Sequence, residues 1–184
     1  KDGEYIFINF HGTRIFENGE FAGMQIMGRD ITEHLVVADT YRKANLRLTK
    51  IIDLLPDPTM AIDMTGTVVA WNRAMEVLSG LPASAVMGKE EGAITSWTRN
   101  SREPTLIHCV LHQDKDAIAG TYPNAHFEGN TVRTETEITR TDGQSFSLWI
   151  SATPIFGEEG EVIGAIESLR DVTRQKKIAR ALRE

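Results

Sequence analysis

Residues 142–173 read DGQSFSLWISATPIFGEEGEVIGAIESLRDVT, and this segment contains the clearest structural pattern of the chain. Within it, Phe146, Leu148 and Ile150 alternate with serine and tryptophan, which is the period of two of a strand with two different faces. The Gly-Glu-Glu-Gly that follows supplies the backbone freedom of a turn. A second apolar run extends from Val162 to Leu169. The pattern predicts two antiparallel strands that lead into a helix.

The same pattern occurs at the start of the chain, as DGEYIFINFHGTRIFENGEFAGMQIMGRDIT, residues 2–32. The spacing differs by one residue, which the turn absorbs. Both copies end in Asp-x-Thr, formed by Asp30 and Thr32 in the first copy and by Asp171 and Thr173 in the second. Either residue type can cap the helix that follows, because each accepts hydrogen bonds from free amides.

The stretch between the first copy and residue 55 is predicted to be a helix with a coiled-coil seam. Seven positions follow one another in the alternating steps of four and three that describe such a seam: His34, Ala38, Tyr41, Asn45, Leu48, Ile52 and Leu55. Asn45 falls at a core position, where a buried polar residue can fix the register of a helix pair. We expect this helix to form a homodimer. An ordinary helix packed on its own domain is the alternative that the sequence leaves open.

The middle of the chain predicts the rest of the sheet and its helical cover. Strands are expected at 59–63, 67–71 and 131–141, and helices at 73–79, 83–87 and 104–112, while most of 89–130 is irregular. The element order is then two strands, helices, three strands and an exit helix. This order describes an α+β architecture, a five-stranded antiparallel sheet with helices on one face and a further helix at each end.

Composition narrows the function classes. The net charge of −6 argues against nucleic acid as a partner, because phosphate binding requires a basic surface. Hydrophobic residues make up 41% of the chain, but no apolar run approaches the roughly 20 residues of a membrane helix. The single cysteine excludes an intrachain disulfide, and a cytoplasmic location is expected. Because the chain begins without Met, we interpret it as a fragment.

The residues at the corners of this predicted sheet resemble those of the PAS sensor domain. They are Asp63-Met64-Thr65-Gly66, Trp71-Asn72-Arg73-Ala74, Leu78-Ser79-Gly80, Val86-Met87-Gly88-Lys89, Thr141-Asp142-Gly143, Gly160-x-Val162-Ile163-Gly164 and Arg170-Asp171-Val172-Thr173. The run from Arg102 to Ile107, with Tyr122-Pro123 and Gly129, is similar to a variant found in archaeal and bacterial sensor histidine kinases with several PAS modules.

The resemblance implies a domain plan. Residues 1–32 would be the C-terminal hairpin of a preceding, truncated PAS domain, 33–55 a signalling helix, 56–170 a complete PAS domain, and 171–184 the start of a second signalling helix. It also implies a sensory module of a multidomain protein, with a histidine kinase expected as the output domain of the same chain. Asp171 and Thr173, and Asp30 and Thr32, would relay the signal. A ligand-free dimerisation module is the main alternative, and a haem-based sensor is a weaker one.

A ligand pocket is expected between the sheet and the helices, and a small-molecule ligand would bind there. Its candidate lining is Met60, Ile62, Trp71, Met75, Leu78, Met87, Ile107, Leu111, Ile138, Trp149, Ser151 and Ser168. The apolar members serve equally well as ordinary core residues, so the sequence leaves ligand binding and an empty core open.

Sequence signals for metal, haem or flavin binding and for catalysis are weak or absent. His108 and His112 are spaced to share one face of a helix, but two histidines are too few for a closed zinc site, so no metal site is expected. Cys109 lies in Ile-His-Cys-Val-Leu-His, which lacks the Asn, Arg and Gln of the flavin-binding light-sensing run. Neither haem nor flavin is therefore expected. No nucleophile elbow and no phosphate-binding glycine loop is present, so no catalytic activity is expected either.

Overall fold

The computed structural model of the protein describes residues 5–90, 92–99 and 104–182. The chain forms two compact units. The first unit covers Lys1–Leu48 and the second Thr49–Glu184. The first contains strands β1 (Ile8–Glu17) and β2 (Glu20–Asp30) and most of helix α1 (Thr32–Asp53). The last turn of α1 belongs to the second unit.

The first unit is an antiparallel hairpin followed by a long helix. A tight turn joins β1 to β2, with both Asn18 and Gly19 at positive φ, 53° and 86°. Asparagine and glycine are the residues that adopt this conformation most readily. Both strands are exposed along almost their whole length, and α1, 22 residues long, has no buried residue.

The second unit is a six-stranded antiparallel sheet with helices on one face. Its elements are β3 (Thr59–Asp63), β4 (Val68–Trp71), α2 (Arg73–Ser79), α3 (Ala83–Val86), α4 (Gly92–Thr95), α5 (Leu106–Leu111), α6 (Lys115–Thr121), β5 (His126–Glu128), β6 (Thr131–Thr139), β7 (Ser145–Phe156), β8 (Val162–Asp171) and α7 (Thr173–Ala181). The strand order is β4-β3-β8-β7-β6-β5, so the last strand of the chain lies at the centre of the sheet.

The core lies between the sheet and helices α2 and α5. Helix α5 packs across β7 and β8, and five of its six residues are buried. Along β7, Leu148, Ile150 and Ala152 face these helices, while the residues between them face away. Burying each large aliphatic side chain contributes about 1.5–3 kcal/mol, so this face supplies most of the stabilisation of the sheet.

The predicted α+β fold is confirmed, with one strand more than expected. The sixth strand is β5, whose three residues pair with Thr131–Arg133 of β6 at the edge of the sheet. Helix α6 and strand β5 lie in the stretch 89–130 that the sequence left largely irregular. Both are short, and all three residues of β5 are exposed, so neither produces a periodic apolar pattern. Within the described ranges, no helix combines the length and apolar composition needed to cross a membrane.

Candidate relay site and ligand core

The exit from the sheet is held by a three-bond clamp. The Thr173 amide donates to Asp171 Oδ1 at 2.8 Å, and the Thr173 hydroxyl accepts from the Ser147 amide at 2.9 Å. The Val172 amide donates to the Ser147 carbonyl at 2.9 Å. Helix α7 therefore begins at a residue whose side chain is bonded to the middle strand β7. A shift of β7 relative to β8 would move the first turn of α7 directly.

The first copy of the motif has the same clamp. The Thr32 amide donates to Asp30 Oδ1 at 2.9 Å, and the Thr32 hydroxyl accepts from the Phe7 amide at 2.7 Å. The Ile31 amide donates to the Phe7 carbonyl at 2.8 Å. Hydrogen bonds from the side chain and amide of Thr32 lower the pKa of the Asp30 carboxyl, which keeps it ionised as an acceptor. The four residues that the sequence predicts as relays thus occupy two equivalent clamps.

Asn72 connects the entry of the second unit to its core. Its side-chain oxygen accepts from the amides of Thr59 and Met75, both at 2.9 Å, and so caps α2 while it holds the start of β3. Its side-chain amide donates to the carbonyls of Ile52, Leu55 and Asp57, at 3.3, 3.4 and 3.0 Å. Asn72 is fully buried. One side chain therefore joins the end of α1, the entry linker, β3 and α2.

The entry linker also lies beside the exit strand. Arg170 donates from Nε and Nη2 to Asp57 Oδ2 at 3.1 and 2.6 Å. The Leu169 amide donates to the Pro58 carbonyl at 2.8 Å. The ion pair is accessible to solvent, so it adds little to stability. The ion pair is of interest because of its position. It joins Asp57, in the linker after α1, to Arg170, the residue just before Asp171.

Eight of the twelve candidate pocket residues lie together in the buried core cluster. They are Met60, Ile62, Trp71, Met75, Leu78, Ile107, Leu111 and Ile138. The indole nitrogen of Trp71 donates to the Leu81 carbonyl at 3.2 Å, which satisfies its only polar atom. The structure thus brings these eight side chains to the place where a ligand was predicted to bind.

Four candidate pocket residues lie elsewhere, and their placement corrects the sequence analysis. Trp149 alternates with the buried residues of β7 and is 51% exposed on the face of the sheet opposite the helices. Ser151 and Ser168 pair directly across β7 and β8 on that same open face. These three residues border a cleft of about 370 Å³. Met87 lies at the C-terminal cap of α3 and is exposed.

Sequence reasoning missed the polar residues of the helix-covered face. Glu167 lies on the central strand β8, is only 5% exposed, and pairs with Met60 and Ala152 on the neighbouring strands. Thr134 and Thr136 are buried on the same face of β6. In the middle of β6 threonine alternates with glutamate, so polarity is a weak guide there, and only Val132 and Ile138 indicate which face points inward. A polar group in an apolar core gives a ligand a directional contact.

The histidine pair lies on α5 and at its end. The rings of His108 and His112 are 4.5 Å apart between centroids, and His112 is exposed. Across the residues with defined positions, no three potential metal ligands come together. Cys109 is buried, and its thiol lies 3.9 Å from the Pro104 carbonyl, as expected for a cysteine packed in a core.

The antiparallel sheet, its helical cover and the clamped exit helix define a sensor domain of the PAS type. A family model described as the PAS fold matches residues 46–172, which is more than half of the chain. The chain therefore belongs to the PAS family, whose domains are sensory and generally not catalytic.

Two solved structures with TM-scores above 0.5 have the same fold. The chain is similar to the PAS domain of BvgS from Bordetella pertussis, with 19% identity and a TM-score of 0.52 over 77% of this chain and 95% of that chain. It is also similar to an RNA-binding light-oxygen-voltage receptor, with 20% identity and a TM-score of 0.52 over 98% of this chain and 43% of that one. A PAS domain from Colwellia psychrerythraea matches with 19% identity and a TM-score of 0.47, over 71% of this chain and 98% of that chain.

Proposed function

We propose that the chain is a relay module of a multidomain cytoplasmic sensor, and that its exit helix transmits signals to a histidine kinase in the same polypeptide. The observation that carries the proposal is the clamp at Asp171 and Thr173, which bonds the start of α7 to strand β7. A helix attached in this way cannot stay in place when the sheet repacks. Coupling between sites of this kind is typically worth about 1–3 kcal/mol, so a small rearrangement suffices.

Two inputs can reach this clamp. One is a ligand in the core, which would repack the helix-covered face on which Glu167, Thr134 and Thr136 lie. The other is helix α1, whose last carbonyls bond to Asn72 and whose linker is paired with Arg170. Both routes end at β8 immediately before Asp171, so the module can respond to its own ligand or to a signal from an upstream domain.

Native mass spectrometry of the protein purified from cells tests the ligand route. A ligand held in the core adds a fixed mass that disappears on denaturation. A retained molecule that is lost when Ala152, a small buried residue paired with Glu167, is replaced by leucine would place the ligand in the core. The matched control is Ser151→Leu, on the open face. Repeated absence of any added mass, with the fold intact, would instead favour the α1 route.

A second candidate function is dimerisation through α1 without a ligand. The observation that favours it is the exposed apolar surface of α1, which includes Tyr41, Leu48 and Ile51. In this case α1 would pair with the same helix of a second copy, and the buried core would serve only to hold the sheet together.

Leu48→Asp is expected to weaken such a dimer by at least about tenfold, because it places a charge in the helix–helix seam. Leu46→Asp is the matched control, since Leu46 is similarly exposed but lies outside the seam. Sedimentation over a range of concentrations measures both dissociation constants. Equal effects of the two substitutions would show that the seam is not the dimer interface, and a monomeric parent protein would exclude dimerisation altogether.

A further inference from the structure

The hairpin of the first unit repeats the hairpin at the centre of the second sheet in detail. Ile8 pairs with Asp30 as Leu148 pairs with Asp171, and the pairing continues position by position to one irregularity near each turn. Both hairpins then end in the Asp-x-Thr clamp described above. The two hairpins therefore have the same register and the same inward and outward faces.

The face of β1–β2 that corresponds to a buried face is apolar and exposed. Phe10 takes the position of Ile150, which is buried beneath helices in the second unit. Met24 and Ile26 lie on the same side as Phe10, and the exposed fractions of the three are 65%, 56% and 64% for Phe10, Met24 and Ile26. The neighbouring position His11 corresponds to the open face, and it is polar.

On this apolar face, Phe10 packs over Gly28 of the neighbouring strand. The ring of Phe10 lies over Gly28, where a Cβ atom would approach a ring carbon to 3.0 Å. The corresponding pair in the second hairpin is Ile150 and Leu169. A phenylalanine ring over a glycine thus occupies the positions that an isoleucine and a leucine hold in the second hairpin.

In the second sheet, the equivalent hairpin is paired along both edges and covered on its apolar face. There, β3 pairs along the outer edge of β8, β6 pairs along the outer edge of β7, and α5 covers the apolar face. Among the described residues, the first sheet has only β1 and β2. Open edges and an apolar face leave a two-stranded hairpin marginally stable at best.

We infer that β1–β2 is the docking surface for the missing part of a PAS-type sheet, made of two antiparallel strands and one apolar helix. In the second unit β3, α5 and β6 all precede β7 in the chain. The same order places the occupant of the first hairpin in a segment of the same polypeptide before Lys1. That segment lays its helix over Phe10, Met24 and Ile26 and pairs one strand with each edge of the hairpin.

Hydrogen exchange measured on the natural polypeptide, with its upstream segment, and on these 184 residues alone tests the inference. We expect the β1–β2 amides to exchange at least about 100-fold more slowly in the longer protein, because both strand edges and the apolar face become covered. The β7–β8 amides, equally protected in both, are the internal control. In the longer protein, Phe10→Asp is expected to remove the protection and His11→Asp to retain it.

Three results would overturn the inference. The first is equally fast exchange of β1–β2 in both proteins, and the second is an equal effect of Phe10→Asp and His11→Asp. The third is protection that rises with the concentration of the 184-residue chain, because it would make a second copy the occupant. None of these results depends on Asp171 or Thr173, so the relay function and the docking surface can fail separately.

Discussion

Replacing Asn72 with alanine is expected to lower the free energy of unfolding of the second unit by about 2–4 kcal/mol. The substitution removes the cap of α2 and the acceptor of the Thr59 amide, and both lost bonds are buried. It also leaves the carbonyls of Ile52, Leu55 and Asp57 without this donor. Urea denaturation followed by circular dichroism measures the loss, and the slope of the transition should stay unchanged.

Asn124→Ala is the matched control, because Asn124 is an exposed loop residue of the same type. Its expected effect is below about 0.5 kcal/mol. A loss below about 1 kcal/mol for Asn72→Ala would mean that water replaces the lost bonds and that Asn72 is not the connection between α1 and the core. Hydrogen exchange gives an independent reading, because losing the bonds to Ile52 and Leu55 should destabilise the last turn of α1 and speed the exchange of its amides.

Asp171→Ala is expected to uncouple signalling and leave the domain folded. The substitution removes the acceptor of the Thr173 amide, so the first turn of α7 loses one of the three bonds that attach it to the sheet. Asp171 is exposed and outside the core, so the denaturation midpoint should change little. We expect the amides of the first turn of α7 to exchange about tenfold faster, and the output of the parent protein to become insensitive to its stimulus.

Asp142→Ala is the control for this experiment. Asp142 is also exposed and accepts a backbone hydrogen bond, from the Gln144 amide at 3.0 Å, but it lies in the turn between β6 and β7. Its side-chain bond with Arg140 lowers the pKa of Asp142 to about 2, so the control removes a charge that is present at neutral pH. Normal regulation of the parent by Asp171→Ala, or equal loss of regulation by Asp142→Ala, would remove the support for the clamp as the relay.

Short-range alternation in the sequence predicts individual strands and their buried faces. The alternation from Phe146 to Ile150 predicts both β7 and its buried face, and both are confirmed. The same alternation places Trp149 on the open face, so its assignment to the pocket lining was wrong. Strand β5 could not be predicted, because its three residues are all exposed and adopt a strand conformation by pairing with β6.

The role of Asn72 shows the limit for the site. Its bond to the Met75 amide caps α2, a local role that asparagine commonly has at the start of a helix. Its contacts with Ile52 and Leu55 join residues 17 to 20 positions apart in the sequence and exist only once the sheet has formed. Glu167 was missed for a related reason, because a single acidic residue in a strand is usually exposed, and only its central strand buries it.

The two Asp-x-Thr clamps share one geometry, and this has a consequence for how such proteins are assembled. A connector with a fixed geometry makes the pieces on either side interchangeable. Under the proposed relay function, chains cut and rejoined after Thr32 or Thr173 would keep the rotational phase of the outgoing helix, so whole modules could be exchanged without readjusting the output.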